Sequence, residues 1–421
     1  MGAFTQGIQQ KKAIVNNVKS RASSRIVCAA LFSVVSGFGT VLAAPTKIIF
    51  WHYLSPETGS SMVDQFADEF NKSQSKYSIE PQYVGDFKTI QIKATAALRA
   101  GGLPGMAMVD NAFFSTLALT KPAVLENMND AVANLPKTVV QDFFPTFWDN
   151  GNVSGARLGL PWASSALLLF YNADAFRAKG LTPPKTWDEF ASDARVLTNR
   201  TSKGAIFFTD AWIFGSMVSS RGGNLLGSDN LPTFDEATTI STLQFIKDLV
   251  PKYGIVRTFG QANFAVVDFL RTKAFMVVVP SSAYPFLPSS APFQVGAVAL
   301  PGKTIAGETQ LVTFKSNSKE QNQGAFEFWQ YLVKPENLVR FDKRSYYLPV
   351  RKSAVKLMGD FANNIVIKAG LEALDRSYNL PHLVDFQNWR AILEGQLERC
   401  LIGGADPKAS LLEAQRLSVK K

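Results

Sequence analysis

The sequence predicts an α/β protein built from layered, largely parallel sheets with crossover helices. Short apolar or alternating runs of strand length recur between stretches of helical period, and the first elements follow the order β-α-β-α-β. The chain has 421 residues, 46% of them hydrophobic, which is ample for two lobes of ordinary domain size.

Each element has its own signal. Residues 47–51 run Lys-Ile-Ile-Phe-Trp, a β-prone string that predicts a strand. Residues 60–72 carry Met62, Phe66 and Phe70 at helical spacing. Residues 77–84 alternate like a strand, and 89–100 place Ile90, Ile92, Ala96 and Leu98 in a helix. Residues 106–109 form a buried strand that ends at Asp110 and Asn111. Strands joined through helices in this way lie parallel in one sheet. A second set begins near residue 160, with a strongly apolar strand over 166–171. Thr186 caps the next helix, whose first turn holds Asp188 and Glu189. Strands follow at 205–208 and 274–279 around a long helix over 235–253. The remaining helices are expected at 321–333, 335–343, 389–400 and 409–420, Pro335 fitting a first-turn position.

The N-terminus reads as an export signal. Lys11, Lys12, Lys19, Arg21 and Arg25 form a basic leader, and an apolar run from Ile26 to Leu42 ends in small residues. The run is broken by serines and glycines and is shorter than a spanning helix needs, so cleavage is expected after about Ala43. The leader holds five of the 44 basic residues and none of the 34 acidic ones, which leaves a net charge of +5 on the rest. No Lys/Arg stripe interleaved with aromatics occurs, which argues against nucleic acid as a partner. Cys28 falls in the leader and Cys400 is left alone, so no disulfide framework is expected and Cys400 reads as a packed thiol. Two histidines make a multi-His metal site a poor expectation, and no cofactor motif appears. The absence of a P-loop, Rossmann fingerprint or H-E-x-x-H string leaves catalysis little support; paired carboxylates, which occur by chance in any chain this long, keep a glycosidase as an alternative.

Open α/β sheets bind ligands beyond the carboxyl ends of their strands. Trp51, His52, Asp110, Asn111, Ser281 and Ser282 stand at such ends, and Ser164 and Ser165 precede a strand at an expected crossing. Trp212 follows a strand and precedes a helix, the place for an aromatic plate against the C–H face of a sugar or polyol. Packing is its alternative role. Asp110 could accept two ligand hydroxyls or cap the helix after it.

Several strings together resemble the extracellular solute-binding proteins of family 1, to which maltose-binding proteins belong. Phe50-Trp51-His52 with Phe70-Asn71, Pro161-Trp162-Ala163-Ser164-Ser165 and Tyr171-Asn172-Ala173-Asp174 follow in order. The most specific is Pro183-Pro184-Lys185-Thr186-Trp187-Asp188-Glu189-Phe190; Lys334-Pro335-Glu336-Asn337 and Tyr347-Leu348-Pro349-Val350 come later. The resemblance implies a type II, maltose-binding-like periplasmic-binding-protein fold, two α/β lobes with a ligand cleft between them. It places the N-terminal lobe at 44–158 and 281–335 and the C-terminal lobe at 159–280 and 336–421, after a signal peptide at 1–43. It implies a monomeric periplasmic protein that captures a small polar ligand and delivers it to an ABC permease in the inner membrane. Members that bind glycerol-3-phosphate make that ligand, a glycerophosphodiester or a small sugar the expected cargo. Matched to those members, Phe87, Ser165, Trp212 and Tyr347 fall on contact positions. Asn111 replaces an acidic residue, Pro280 a serine and Glu308 a glycine, and His382 lies near an expected phosphate-binding Arg with Arg390 eight residues on. A periplasmic glycan-acting enzyme and a chemosensory module are the competing readings.

Overall fold

The computed structural model describes residues 44–258, 262–287 and 291–419; the expected leader lies outside them. The principal strands, in chain order, are β1 (Thr46–His52), β2 (Tyr77–Tyr83), β3 (Met106–Asp110), β4 (Leu160–Ser165) and β5 (Leu167–Asn172). They continue with β6 (Lys203–Phe208), β7 (Gly254–Arg257), β8 (Ala274–Pro280), β9 (Val295–Ala299) and β10 (Gly307–Val312). These strands form two five-stranded sheets, ordered β2-β1-β3-β10-β4 and β9-β5-β8-β6-β7.

The predicted β-α-β-α-β start is present. β1 is parallel to β2 and β3, with helices Ser60–Ser73 and Phe87–Ala100 as the crossovers. In the second sheet β6 is parallel to β7 and β8. The sheets are nevertheless mixed: β10 runs antiparallel to β3 and β4, and β5 antiparallel to β8 and β9. β10 reads Gly-Glu-Thr-Gln-Leu-Val and buries Glu308, Thr309 and Gln310, so it shows no apolar alternation in the sequence. Thr186 caps its helix as predicted, its hydroxyl accepting from Glu189 N at 3.1 Å.

The lobes exchange the chain at residues that composition does not mark. β4 and β5 belong to different sheets and only Ala166 separates them, so the first crossing lies there and not at 158/159. β9 remains with the second sheet, and the return falls between β9 and β10 rather than at 280/281. Helix Pro335–Ser345 stays with the first lobe, where Phe341 stacks on Trp162 at 4.9 Å and Arg340 pairs with Glu69 at 2.7 Å. The third crossing therefore follows it. The first crossing is a single residue between two fully buried strands, so no break in composition marks it.

The crossing segments are bonded to one another. Ser164 and Leu348 exchange backbone hydrogen bonds at 3.3 and 2.7 Å, and Ser281 N donates to Ala166 O at 2.8 Å. Fully buried Trp162 anchors the first lobe beside this hinge, worth about 3 kcal/mol of burial. Cys400 is buried and unpaired, and burial pushes its thiol pKa up. Among the described residues no helix is long and apolar enough to cross a membrane.

Candidate functional site

A cavity of about 510 Å³ lies at the meeting of the two lobes, within the size range of small-molecule sites. Three structures build its wall. The first is the end of β3 and the start of helix Asn111–Leu119. The second is the crossing region, with Ser165, Gly307 and Glu308. The third belongs to the second lobe: the start of helix Ala211–Ser220 and helix Phe386–Leu401, which packs on Asn111–Leu119 across the gap.

Trp212 is held as a plate. Its Nε1–H donates to Ile305 O at 2.8 Å. Its ring lies on Gly307, where an added Cβ would come within 2.5 Å of a ring carbon, so only glycine permits the contact. Ser165 Oγ lies 3.1 Å from Ser281 Oγ and 3.4 Å from Ser282 Oγ. Tyr347 is buried at the hinge, and burial raises its phenol pKa to about 12, against a hydrogen bond from Ser282 that lowers it. Phe87 opens helix Phe87–Ala100 and receives the Arg390 guanidinium 5.6 Å from its ring centroid.

Two helices point their N-termini into the cleft, and each already carries its own carboxylate. Asp110 Oδ1 accepts from Phe113 N at 2.7 Å while Oδ2 accepts from Gln91 Nε2 at 2.8 Å. Asp210 Oδ1 accepts from Ile213 N at 2.9 Å. Burial raises the pKa of both groups, and the nearby Arg390 charge works against that rise. Arg390 bonds Asp210 Oδ2 at 3.2 Å and Glu394 Oε1 at 2.9 Å. Burial opposes its charge, but Asp210, Glu394 and Asp110 outweigh burial and raise its pKa. Arg390 thus reaches the wall from its position eight residues beyond His382, yet arrives neutralised. Apart from His382 it is the one basic side chain in the cavity wall among the described residues.

His382 lines the cavity with both nitrogens engaged. Nε2–H donates to Asn150 O at 2.9 Å, and Nδ1 lies 2.9 Å from Ser115 Oγ. Burial lowers its pKa, so the ring is neutral at neutral pH and brings no charge to a phosphate. Asn111 also lines the cavity, its Oδ1 accepting from Asn150 Nδ2 at 2.8 Å.

Eight of the twelve expected residues therefore stand in the wall: Phe87, Asp110, Asn111, Ser165, Trp212, Ser282, Tyr347 and His382. Trp51, His52, Ser164 and Ser281 do not. β1 is an inner strand of its sheet, so its side chains alternate between two covered faces. Trp51 Nε1 donates to Gln82 Oε1 at 3.1 Å, and the Lys93 ammonium lies 4.0 Å from its ring. His52 packs on Phe50 and Tyr83, and burial lowers its pKa to about 4. The Ser164 hydroxyl donates to Gly307 O at 3.2 Å and so ties two crossings together, while Ser281, just after β8, faces Ser165 at the first crossing. Reading the strand ends missed Tyr53, the residue after β1 that does reach the cavity, and Glu308, which lies on the unrecognised strand β10.

The model of the bacterial extracellular solute-binding proteins matches residues 65–369. The chain is 28% identical over 407 residues to the sn-glycerol-3-phosphate-binding periplasmic protein of Yersinia pseudotuberculosis, covering 89% of this chain and 92% of that one. Its fold is similar to that of UgpB from Mycobacterium tuberculosis, solved with glycerophosphocholine: TM-score 0.79, 22% identity, 89% of this chain and 97% of that one. It is similar again to the GacH receptor of Streptomyces glaucescens, solved unliganded and with acarbose: TM-score 0.80, 21% identity, 90% of this chain and 100% of that one.

Proposed function

Because the chain belongs to the bacterial extracellular solute-binding proteins, we propose that it captures a polyhydroxylated solute of no net charge and hands it to an ABC permease. It is a binding component and not an enzyme. The ligand class is a small sugar or sugar alcohol, or a zwitterionic glycerophosphodiester. Glycerophosphocholine, bound by the mycobacterial protein, is the nearest example of the last.

One observation carries the choice. Arg390, the single strongly basic side chain in the cavity wall among the described residues, is already paired with Asp210 and Glu394, and both helix N-termini at the cleft hold aspartates. A helix N-terminus attracts an anion only while its N–H groups are free. A phosphate monoester, the cargo named for the Yersinia relative, would enter as a near-dianion among carboxylates without a free cation to meet it. Hydroxyls suit this wall better, since Asp110, Ser165 and Ser282 accept or donate singly and Trp212 covers an apolar face. Ligand contacts to both lobes would favour closure by their differential affinity for the closed state. The exported form is a periplasmic monomer, freed of its leader after about Ala43.

Titration calorimetry against maltose, trehalose, ribitol, glycerophosphocholine and glycerol-3-phosphate tests this. Binding of one or more of the uncharged members, with glycerol-3-phosphate at least tenfold weaker, is expected. Tight binding of glycerol-3-phosphate alone overturns the charge argument.

A further inference from the structure

Glu308 is a carboxyl in the cavity wall, and it is 4% exposed. Its two oxygens have different surroundings. Oε2 accepts from Asn150 Nδ2 at 2.5 Å and from Gln310 Nε2 at 3.2 Å, which fills both of its lone pairs. Oε1 is buried and has no hydrogen-bond partner among the described residues. A doubly accepting oxygen is the carbonyl end of an acid, so a proton on this group sits on Oε1. We propose that Glu308 is a specificity-determining residue of the cleft, presenting Oε1–H to the ligand and donating a hydrogen bond to one of its hydroxyl oxygens. This rests on the reading of the cleft as a solute site and names one of its contacts.

The physical reasons agree. A buried carboxylate facing no cation is costly to ionise. Desolvation raises the Glu308 pKa to about 8, and the hydrogen bonds that Oε2 accepts from Asn150 and Gln310 offset only part of that. Oε1 is left without a partner and Glu308 lines the cavity, so a ligand seated there can supply the acceptor. A ligand hydroxyl that accepts there can donate onward to a neighbouring acceptor such as Asp110. A ligand lacking an acceptor at that point leaves the acid unpaired, which is how buried polar groups discriminate.

The competing acceptor for the proton is Asn379 Oδ1, which is also buried and unpartnered. The test must therefore separate a ligand contact from an internal bond. Other titratable groups around Glu308 are Asp110 at the end of β3, opposite Thr309, and His382, bonded to Asn150 O. Tyr53 and Tyr347 are shifted up by burial and His382 down, away from the range in question. Arg390 across the cleft stays charged throughout.

The experiment is calorimetric titration of the intact mature protein and of Glu308→Gln with the tightest ligand of the panel, at about pH 6 and about pH 9.5. Wild type is expected to weaken roughly thirtyfold across that interval as the donor is lost, since a proton required for binding costs about tenfold per pH unit above its pKa. Glu308→Gln keeps a donor that cannot ionise, so its own affinity should be the same at both pH values. Parallel behaviour of the two proteins, whether both fall or both hold, overturns the proposal, because an acid bonded internally to Asn379 would not distinguish them. No binding by either protein at about pH 6 overturns the cleft reading itself and this proposal with it.

Discussion

Gly307→Ala is the sharpest probe of the cleft because it adds one methyl group at a known place. Gly307 has a backbone conformation that any residue adopts, so the substitution introduces a clash and no backbone strain. The new Cβ would sit 2.5 and 2.6 Å from two carbons of the Trp212 ring and 2.8 Å from Ser165 O. Carbon atoms rest at about 3.5–4.0 Å, so the ring must retreat by about 1 Å. It cannot retreat freely, because Nε1 is bonded to Ile305 O at 2.8 Å. Overpacking of this kind costs about 1–3 kcal/mol, and a stretched hydrogen bond about 1 kcal/mol more. A ligand stacked on the ring would lose roughly half its dispersion contact across such a gap, which weakens binding about tenfold or more. Thermal unfolding without ligand reads the first effect as a fall of several degrees. Calorimetry reads the second. An affinity equal to wild type, in a variant that is destabilised as calculated, would mean that Trp212 does not touch the ligand and that the plate has been misplaced.

Trp212→Ala should leave the fold intact, since the ring is only partly buried, while weakening the ligand by about 2 kcal/mol, or about thirtyfold; an unchanged ligand-induced thermal shift counts against it. Arg390→Gln leaves Asp210 buried without its cation and should cost about 3–5 kcal/mol near neutral pH. The Asp210 pKa, already raised by burial, rises further, so the loss is largest where the group must ionise and shrinks as the pH falls through that pKa; urea unfolding at about pH 7 and about pH 4.5 would show it. His52 is held neutral by burial with a pKa of about 4, against 6.5 when unfolded. The unfolded chain takes up its proton first, so stability should fall as the pH drops from 6.5 to about 4, by on the order of 3 kcal/mol, and His52→Gln should flatten that slope.

Much of the scaffold was legible because its signals are local. Thr186 with Glu189 announces a helix start, and Ile48-Ile49-Phe50 an inner strand, whatever lies around them. β10 was not legible, because Glu308, Thr309 and Gln310 are polar, and Glu308 and Thr309 find their partners, Asn150 and Ala163, far away in sequence. The same strand carries Glu308, so the reading of strand ends missed both the strand and its cleft carboxyl for one cause, and only the family resemblance drew attention to position 308. His52 and Trp51 show the opposite error. They stand at a strand end, but an inner strand hides its last side chains under helices, and the cleft begins one residue later at Tyr53. Arg390 shows a third limit: its helical reach into the cleft follows from tertiary packing, and so does its neutralisation by Asp210, which is 180 residues away in sequence.

A crystal structure of the protein with the tightest uncharged ligand of the panel tests the central claim most directly. The ligand is expected between the lobes, with its apolar face on Trp212, hydroxyls within hydrogen-bonding distance of Asp110 and Glu308 Oε1, and the Arg390–Asp210 pair intact. A ligand seated elsewhere, or one whose anionic group has pulled Arg390 away from Asp210, would contradict it.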